Sequence, residues 1–217
     1  MDGTVILFLF CYVCNCIQGV ITTATGARYS GSFLRGQKHG RGIEEFGNKM
    51  GIVFVCPAGH RHNGDAFCTY TGEYAGGEFH GRGELKCCDG RSYNGGWSKG
   101  KKYGEGVQVF MKTHELGDPH RCFIGPNGSL YRVHSHLGLF KENVRQGYGI
   151  SIFSNGDQLL GDFIDGQPHG IFVIKFWSGK SRIALYEKGA RLRWVDGTAE
   201  DQEILDRFNI DLNNLTL

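Results

Sequence analysis

Apolar and polar residues alternate in short runs along most of this chain, and glycine punctuates the runs at fixed offsets. Tyr70-x-Gly72-x-Tyr74-x-x-Gly77-x-x-His80-Gly81-x-Gly83 superimposes on Tyr93-x-Gly95-x-Trp97-x-x-Gly100-x-x-Tyr103-Gly104-x-Gly106, 23 residues on. Tyr29-x-Gly31-x-Phe33-x-x-Gly36-x-x-His39-Gly40-x-Gly42 is a third copy. Period-two spacing puts both aromatics of a copy on one face of a strand. The glycine-bearing stretch that follows predicts a turn, and the next Gly-x-Gly opens a second strand. Each copy therefore reads as a β-hairpin. One hairpin alone is marginal in water, so the fixed period predicts a stacked array.

The register continues in weaker form. Gly138-x-Phe140-x-x-Asn143-x-x-Gln146-Gly147-x-Gly149 is a fourth copy, with asparagine at a position that wants positive φ. Gly161-x-Phe163-x-x-Gly166-x-x-His169-Gly170 is a fifth, with Phe172 in place of its final glycine, and Ala184-x-Tyr186-x-x-Gly189 begins a sixth. Counting back from Tyr29 lands on Gly26 and Gly19, so Gly19 to Gly26 reads as the second strand of a partial first copy. The array thus covers 19–190, with insertions near 48–67 and 112–130. A hydrophobic segment, 1–18, precedes it and a cap, 191–217, follows. In the cap, Thr198 suits a helix N-cap, and Ile204, Leu205 and Phe208 form one apolar stripe. The predicted fold is all-β: an elongated single-sheet solenoid of stacked β-hairpins with a short C-terminal capping helix.

These motifs resemble the MORN (membrane occupation and recognition nexus) repeat. The resemblance is specific at Tyr29–Gly42, Tyr70–Gly83 and Tyr93–Gly106 and weaker from Gly138 to Gly189. It implies a single-sheet β solenoid with a scaffolding role in cytoskeletal or ciliary assembly, membrane docking, or support of a catalytic domain. The methyltransferase and phosphoinositide kinase domains joined to some such arrays do not fit here, because 28 residues follow Gly189 and carry no catalytic motif.

Charge changes this picture little. The formal net charge is +2, and the largest basic cluster, Lys99 to Lys102, is too small to argue for nucleic acid. Arg35 to Arg41 and Lys99 to Lys102 would serve an anionic membrane surface, the alternative partner. Val5 to Val13 has the length of a signal h-region, but Met1 to Thr4 carries no basic residue. A buried strand is the favoured reading of that segment, with a secreted, disulfide-bearing repeat protein as the alternative. The eight cysteines are irregularly spaced and read as buried free thiols.

Candidate chemistry is thin. Cys56, His60, His62 and Cys68 offer zinc-type ligands, but their spacing matches no standard finger and a plain turn is the better reading. A thiol–imidazole pair of Cys87 or Cys88 with His80 is weakened because His39, His80 and His169 share one repeat position. No cofactor and no catalytic residue are expected. Tyr29, Phe33, Tyr70, Tyr74, Tyr93, Trp97, Phe140 and Phe163 form either a core ladder or a stacking surface. A groove centred on Tyr74, Trp97 and Phe140 is expected to take a helix or extended segment of a protein partner. The expected function is a non-enzymatic protein-interaction scaffold, cytoplasmic or associated with the cytoskeleton or cilium, with a homodimer or a regulatory-subunit role in view.

Overall fold

Two-residue turns set the hairpins. The pairs Arg35–Gly36, Gly76–Gly77, Lys99–Gly100, Glu142–Asn143, Asp165–Gly166 and Lys188–Gly189 all have positive φ. Such turns match the right-handed twist of the flanking strands. Asn143 sits at φ 74°, close to the 72° of its counterpart Gly100, as its place in the repeat predicts.

The computed structural model describes residues 5–10, 17–23, 26–47, 54–55, 61–62, 67–110, 122–124 and 130–207. It divides into two units, Met1–Met111 with Phe140–Asn143, and Lys112–Leu139 with Val144–Leu217. In the first, β1 (Val5–Phe10), β2 (Ile17–Thr22), β3 (Arg28–Leu34) and β4 (Gln37–Gly47) lead to β5 (Phe54–Val55) and β6 (Arg61–His62). Then come β7 (Phe67–Ala75), β8 (Glu78–Cys87), β9 (Ser92–Ser98) and β10 (Lys101–Val109). The run β1-β2-β3-β4-β7-β8-β9-β10 is hydrogen-bonded in that order, and β5–β6 is a separate small ladder inside the first insertion.

The second unit holds β11 (Cys122–Ile124), most of β12 (Leu130–Lys141), β13 (Val144–Phe153), β14 (Gln158–Ile164), β15 (Gln167–Lys175), β16 (Ser181–Glu187) and β17 (Ala190–Val195). These pair in order from β12 to β17, with β11 on β12. Helix α1 (Ala199–Arg207) follows. The Asp201 N–H donates to the Thr198 hydroxyl, and the Thr198 N–H donates back to Asp201 at 3.0 Å, a capping box that starts the helix where the sequence places it. The side chains of Ile204 and Leu205, and Phe208, lie outside the described set.

The core explains the glycine spacing. Gly19, Gly31, Gly42, Gly72, Gly83, Gly95 and Gly106 are successive cross-strand partners, one on each of β2–β4 and β7–β10. They form a lane of bare backbone, and tyrosine rings lie flat on it. A Cβ on Gly72 or Gly83 would meet Tyr70 at 2.5 and 2.2 Å, and one on Gly106 would meet Tyr93 at 2.4 Å. Each tyrosine crosses the lane to donate its hydroxyl to a carbonyl three residues on: Tyr29 to Ser32 (2.9 Å), Tyr70 to Glu73 (3.0 Å), Tyr93 to Gly96 (3.0 Å).

Two cysteines depart from the free-thiol expectation. Cys68 and Cys87 are direct partners on β7 and β8, with Cα atoms 4.0 Å apart, and they form a disulfide. Both point to the buried face, so proximity in the ladder makes the bond. Cys88, next in sequence, is an exposed free thiol.

The lane predicts the effect of one methyl group. Gly83→Ala should lower stability by about 1–3 kcal/mol in urea unfolding, because the Tyr70 ring must lift. A change under about 0.5 kcal/mol, the range of unremarkable surface substitutions, would show that the ring does not rest on this glycine.

Candidate interaction surface

All eight aromatics singled out from the sequence are buried, none more than 3% exposed. In the first unit they make one continuous edge-to-face series. Tyr29 contacts Phe33 and Tyr74 at 5.0 and 5.1 Å; Tyr70 contacts Tyr74 and Trp97 at 5.2 and 5.5 Å; Tyr93 contacts Trp97 and Phe140 at 5.0 and 5.2 Å. Trp97 donates its indole N–H to the Gly83 carbonyl at 3.0 Å. The packing role therefore holds for all eight. A ligand surface built from the faces of Tyr74, Trp97 and Phe140 would require rings that are now covered to be exposed.

The second unit keeps the series with different residues. His136, Phe163, Phe172 and Tyr186 follow one another at 4.9, 5.4 and 5.2 Å. His136 stands where other copies have tyrosine, and its ring lies on Gly138 and Gly149 as tyrosine does elsewhere. In the fifth copy that position is Leu159, and Phe172 reaches back from β15 to lay its ring on Gly161. The offset of two before the conserved-phase glycine was the available signal for His136. Nothing in the offset alone announces Phe172, because it fills the slot from the opposite strand.

A second repeat position went unread. Lys38, Phe79, Lys102 and Arg145 all lie two residues past the turn. Phe79 stacks on Tyr70 at 3.6 Å, and the cations lie over rings instead: Lys38 over Tyr29 (5.1 Å), Lys102 over Tyr93 (5.3 Å), Arg145 over Phe163 (5.0 Å). The inward residue six further on changes in step. Lys38 pairs with Glu44, Arg145 donates to Ser151 at 3.3 Å, and Phe79 is followed by buried Leu85. Cation and acceptor thus exchange as a set for two apolar residues.

Titration follows burial. Burial, with Glu44 adding, pushes the Tyr29 hydroxyl up to about 12, and burial takes Tyr93 to about 12 against the opposing pull of Arg82. Tyr70, Tyr74 and Tyr186 are raised further, again chiefly by burial. Burial and the neighbouring Arg145 lower His136 to about 3, so it is a neutral imidazole hydrogen-bonded through Nδ1 to Ser151 Oγ at 2.9 Å. It lies inside the core, 1% exposed.

The remaining candidates disperse. Cys68 is in the disulfide and cannot serve as a zinc thiolate, which corrects its place among the metal candidates. Cys56 and His60 lie outside the described residues, and of His62 only the backbone is described. Among the described residues no group of three or more His, Cys, Asp or Glu is arranged to hold a metal ion. Cys87 is likewise bonded and offers no nucleophile. In the basic clusters, Lys38 is engaged by Glu44, Lys101 by Glu142 at 2.9 Å, and Lys102 is 3% exposed. Arg35, Arg41 and Lys99 are exposed.

On the outer face, opposite the aromatic series, two repeat positions differ between the units, while exposed Ile43 and Val107 make the first unit apolar at a third. In the first unit that face carries Arg41, Arg82 and Glu105 at one repeat position and Ser30, Thr71 and Asn94 at another. In the second unit the same two positions carry Tyr148 and Ile171, and Leu137 and Leu160. Leu137 is 50% exposed, Tyr148 56% and Ile164 46%. A groove of about 640 Å³ runs over β13–β15, floored by Tyr148, Leu160, Ile171 and Val173 and edged by Asp162 and Lys175. Further along this face Ile183 and Val195 are buried with Ile171 and Leu185, and Arg193, the partner of Leu185, forms an ion pair with Asp201 of α1. The sequence reading missed this groove because it followed only the inward aromatics.

Stability should fall at both ends of the pH range. Unfolded tyrosines ionise near 10 while folded Tyr29 and Tyr93 resist to about 12, so their contribution is whole below pH 10 and is lost as pH rises through 12. His136 works in the opposite sense: its contribution is present above 6.5 and is lost progressively as pH falls toward 3. Urea midpoints across the pH range should show both slopes, and His136→Gln should flatten the acid one.

The MORN repeat model matches residues 29–50, 70–90, 93–112, 137–158 and 160–171. The chain is 32% identical over 107 residues to human ALS2 C-terminal-like protein, covering 49% of this chain and 10% of that protein. It is 32% identical over 122 residues to the bovine protein of that name, 55% of this chain and 11% of the relative. It is 31% identical over 112 residues to mouse Alsin, 52% of this chain and 6% of the relative. The chain therefore matches only about a tenth or less of the length of these relatives. No helix among the described residues is long and apolar enough to cross a membrane. The five repeat matches fall on the hairpins that carry the lane, the rings and the turns, and the chain belongs to the MORN repeat family.

Proposed function

We propose that this chain is a non-enzymatic interaction scaffold whose partner-binding surface is the outer groove over β13–β15. MORN repeats and the likeness to alsin-related proteins point to interaction or membrane roles. One observation carries the choice of surface: two repeat positions that are polar or charged in the first unit are apolar in the second, where Leu137 and Tyr148 are exposed. The fold does not need those apolar residues, since the same hairpin forms with Arg82 or Glu105 there. An exposed apolar patch that the architecture does not require marks a binding site. Its partner is a protein segment, helical or extended, presenting apolar side chains to Tyr148 and Ile164 and polar ones to Asp162 and Lys175. A scaffold of this kind acts in the cytoplasm or at the cytoskeleton.

A second reading follows from the Cys68–Cys87 bond. Structural disulfides persist in oxidising compartments, which favours a secreted interaction repeat with the same groove. Intact mass from native cells separates the two, because secretion would remove the apolar N-terminal segment.

Tyr148→Asp with Ile164→Asp should deplete specific partners roughly tenfold or more in quantitative affinity capture, as expected for truncating a buried aromatic anchor. Glu105→Ala on the first unit should leave the captured set unchanged. An identical set from wild type and the groove variant would overturn the assignment.

A further inference from the structure

The outer groove lies where every strand already has both its neighbours. β13, β14 and β15 sit inside the order β12-β13-β14-β15-β16, so each is hydrogen-bonded on both sides. A partner segment therefore cannot join here by adding a strand. The groove offers it side chains, and those of Leu160, Ile171 and Val173 neither donate nor accept a hydrogen bond. An extended segment laid on that floor would bury N–H and C=O groups without partners. A helix bonds its own backbone and presents only side chains.

Size and charge point the same way. Leu160 pairs with Val173 across β14 and β15. The strands are antiparallel, so Asp162, two residues past Leu160, and Lys175, two residues past Val173, edge opposite ends of the groove. Both are exposed. The distance between their levels is ~13 Å of strand, the length of about nine residues of helix. From β13 to β15 is ~10 Å, close to one helix diameter. An acid at one end and a base at the other suit the two poles of a helix dipole.

The chain itself ties a helix to this strip. Ile171 is the cross-strand partner of Leu185, and Leu185 of Arg193. Arg193 holds Asp201 of α1, which also accepts the Asp196 N–H at 2.9 Å. In the adjoining row Val173 partners Ile183, and Ile183 partners Val195; the last two are buried. The same two rows reach the groove, where Leu160, Ile171 and Val173 are only half-buried.

We propose that the groove takes one amphipathic helix of a protein partner, lying along β13–β15 with its N-terminal end at Asp162 and its C-terminal end at Lys175. This rests on the function proposed for the groove and narrows its occupant. The apolar stripe of the helix, spaced i, i+3, i+4, i+7, meets Tyr148, Leu160, Ile171 and Val173.

The test is selection of displayed random peptides, each of about sixteen residues or four helical turns, on the full chain. Tyr148→Asp with Ile164→Asp serves as the counter-target. If that variant lowers the urea midpoint, Tyr148→Ser with Ile164→Ser takes its place. Peptides that need the groove should carry the helical spacing and gain helix by circular dichroism when bound. A central proline should weaken them roughly a hundredfold. Asp162→Lys with Lys175→Glu should weaken them roughly fivefold or more, because both dipole contacts are reversed. Groove-dependent peptides that alternate with period two and tolerate the proline would overturn the helix and leave the surface assignment standing. Equal binding by the charge-exchanged chain would overturn the stated direction. No groove-dependent peptide at all would overturn both the occupant and the surface.

Discussion

A tyrosine ring lying flat on bare backbone is the contact on which this fold depends. A single sheet has no second layer to cover its inner face, so the face must cover itself. Glycine at one position per strand removes the side chains that would hold a ring away, and tyrosine two residues earlier supplies the ring. The hydroxyl then reaches a backbone carbonyl, so the polar end of a buried residue is satisfied. Each such ring also meets the aromatic of its own and the neighbouring hairpin at 5.0 to 5.5 Å. Edge-to-face pairs of this kind are worth about 0.5–1.5 kcal/mol each beyond their area, and hairpins are thereby linked in series.

Much of this was legible in the sequence for a physical reason. Turns with positive φ and a lane without Cβ atoms can be built from few residue types, so glycine and asparagine had to appear on a period. The helix start was legible because Thr198 and Asp201 form a local box. Cross-strand exchange was not legible. Phe172 replaces a tyrosine from another strand, and Glu44 and Ser151 follow Lys38 and Arg145 six residues away; a one-strand consensus hides both. The disulfide was hidden for the same reason, because its two cysteines are 19 apart in sequence but face each other in the ladder. The groove escaped because the motif describes the inner face alone.

The two faces therefore have separate duties. Inward positions are constrained by the lane and the rings, and their substitutions come in compensating sets. Outward positions are less constrained by the hairpin: Arg82, Glu105 and Tyr148 occupy the same place in it. At two outward repeat positions the first unit carries Ser30, Arg41, Thr71, Arg82, Asn94 and Glu105 and the second carries Leu137, Tyr148, Leu160 and Ile171, the difference on which the proposed surface rests. His136 and Ser151 are hydrogen-bonded to each other and buried in the core.

The claim that ring and glycine are complementary parts of one slot is tested most directly by exchanging them in the fifth copy. Leu159→Tyr alone places two rings on Gly161 and should cost about 1–3 kcal/mol by overpacking. Phe172→Gly alone empties the slot and should cost at least about 3–5 kcal/mol, as for loss of a buried phenylalanine. The double variant restores the arrangement of the second and third copies. A urea-unfolding double-mutant cycle should show the pair recovering most of the summed loss, a coupling of about 2 kcal/mol or more. Losses that simply add would contradict the account.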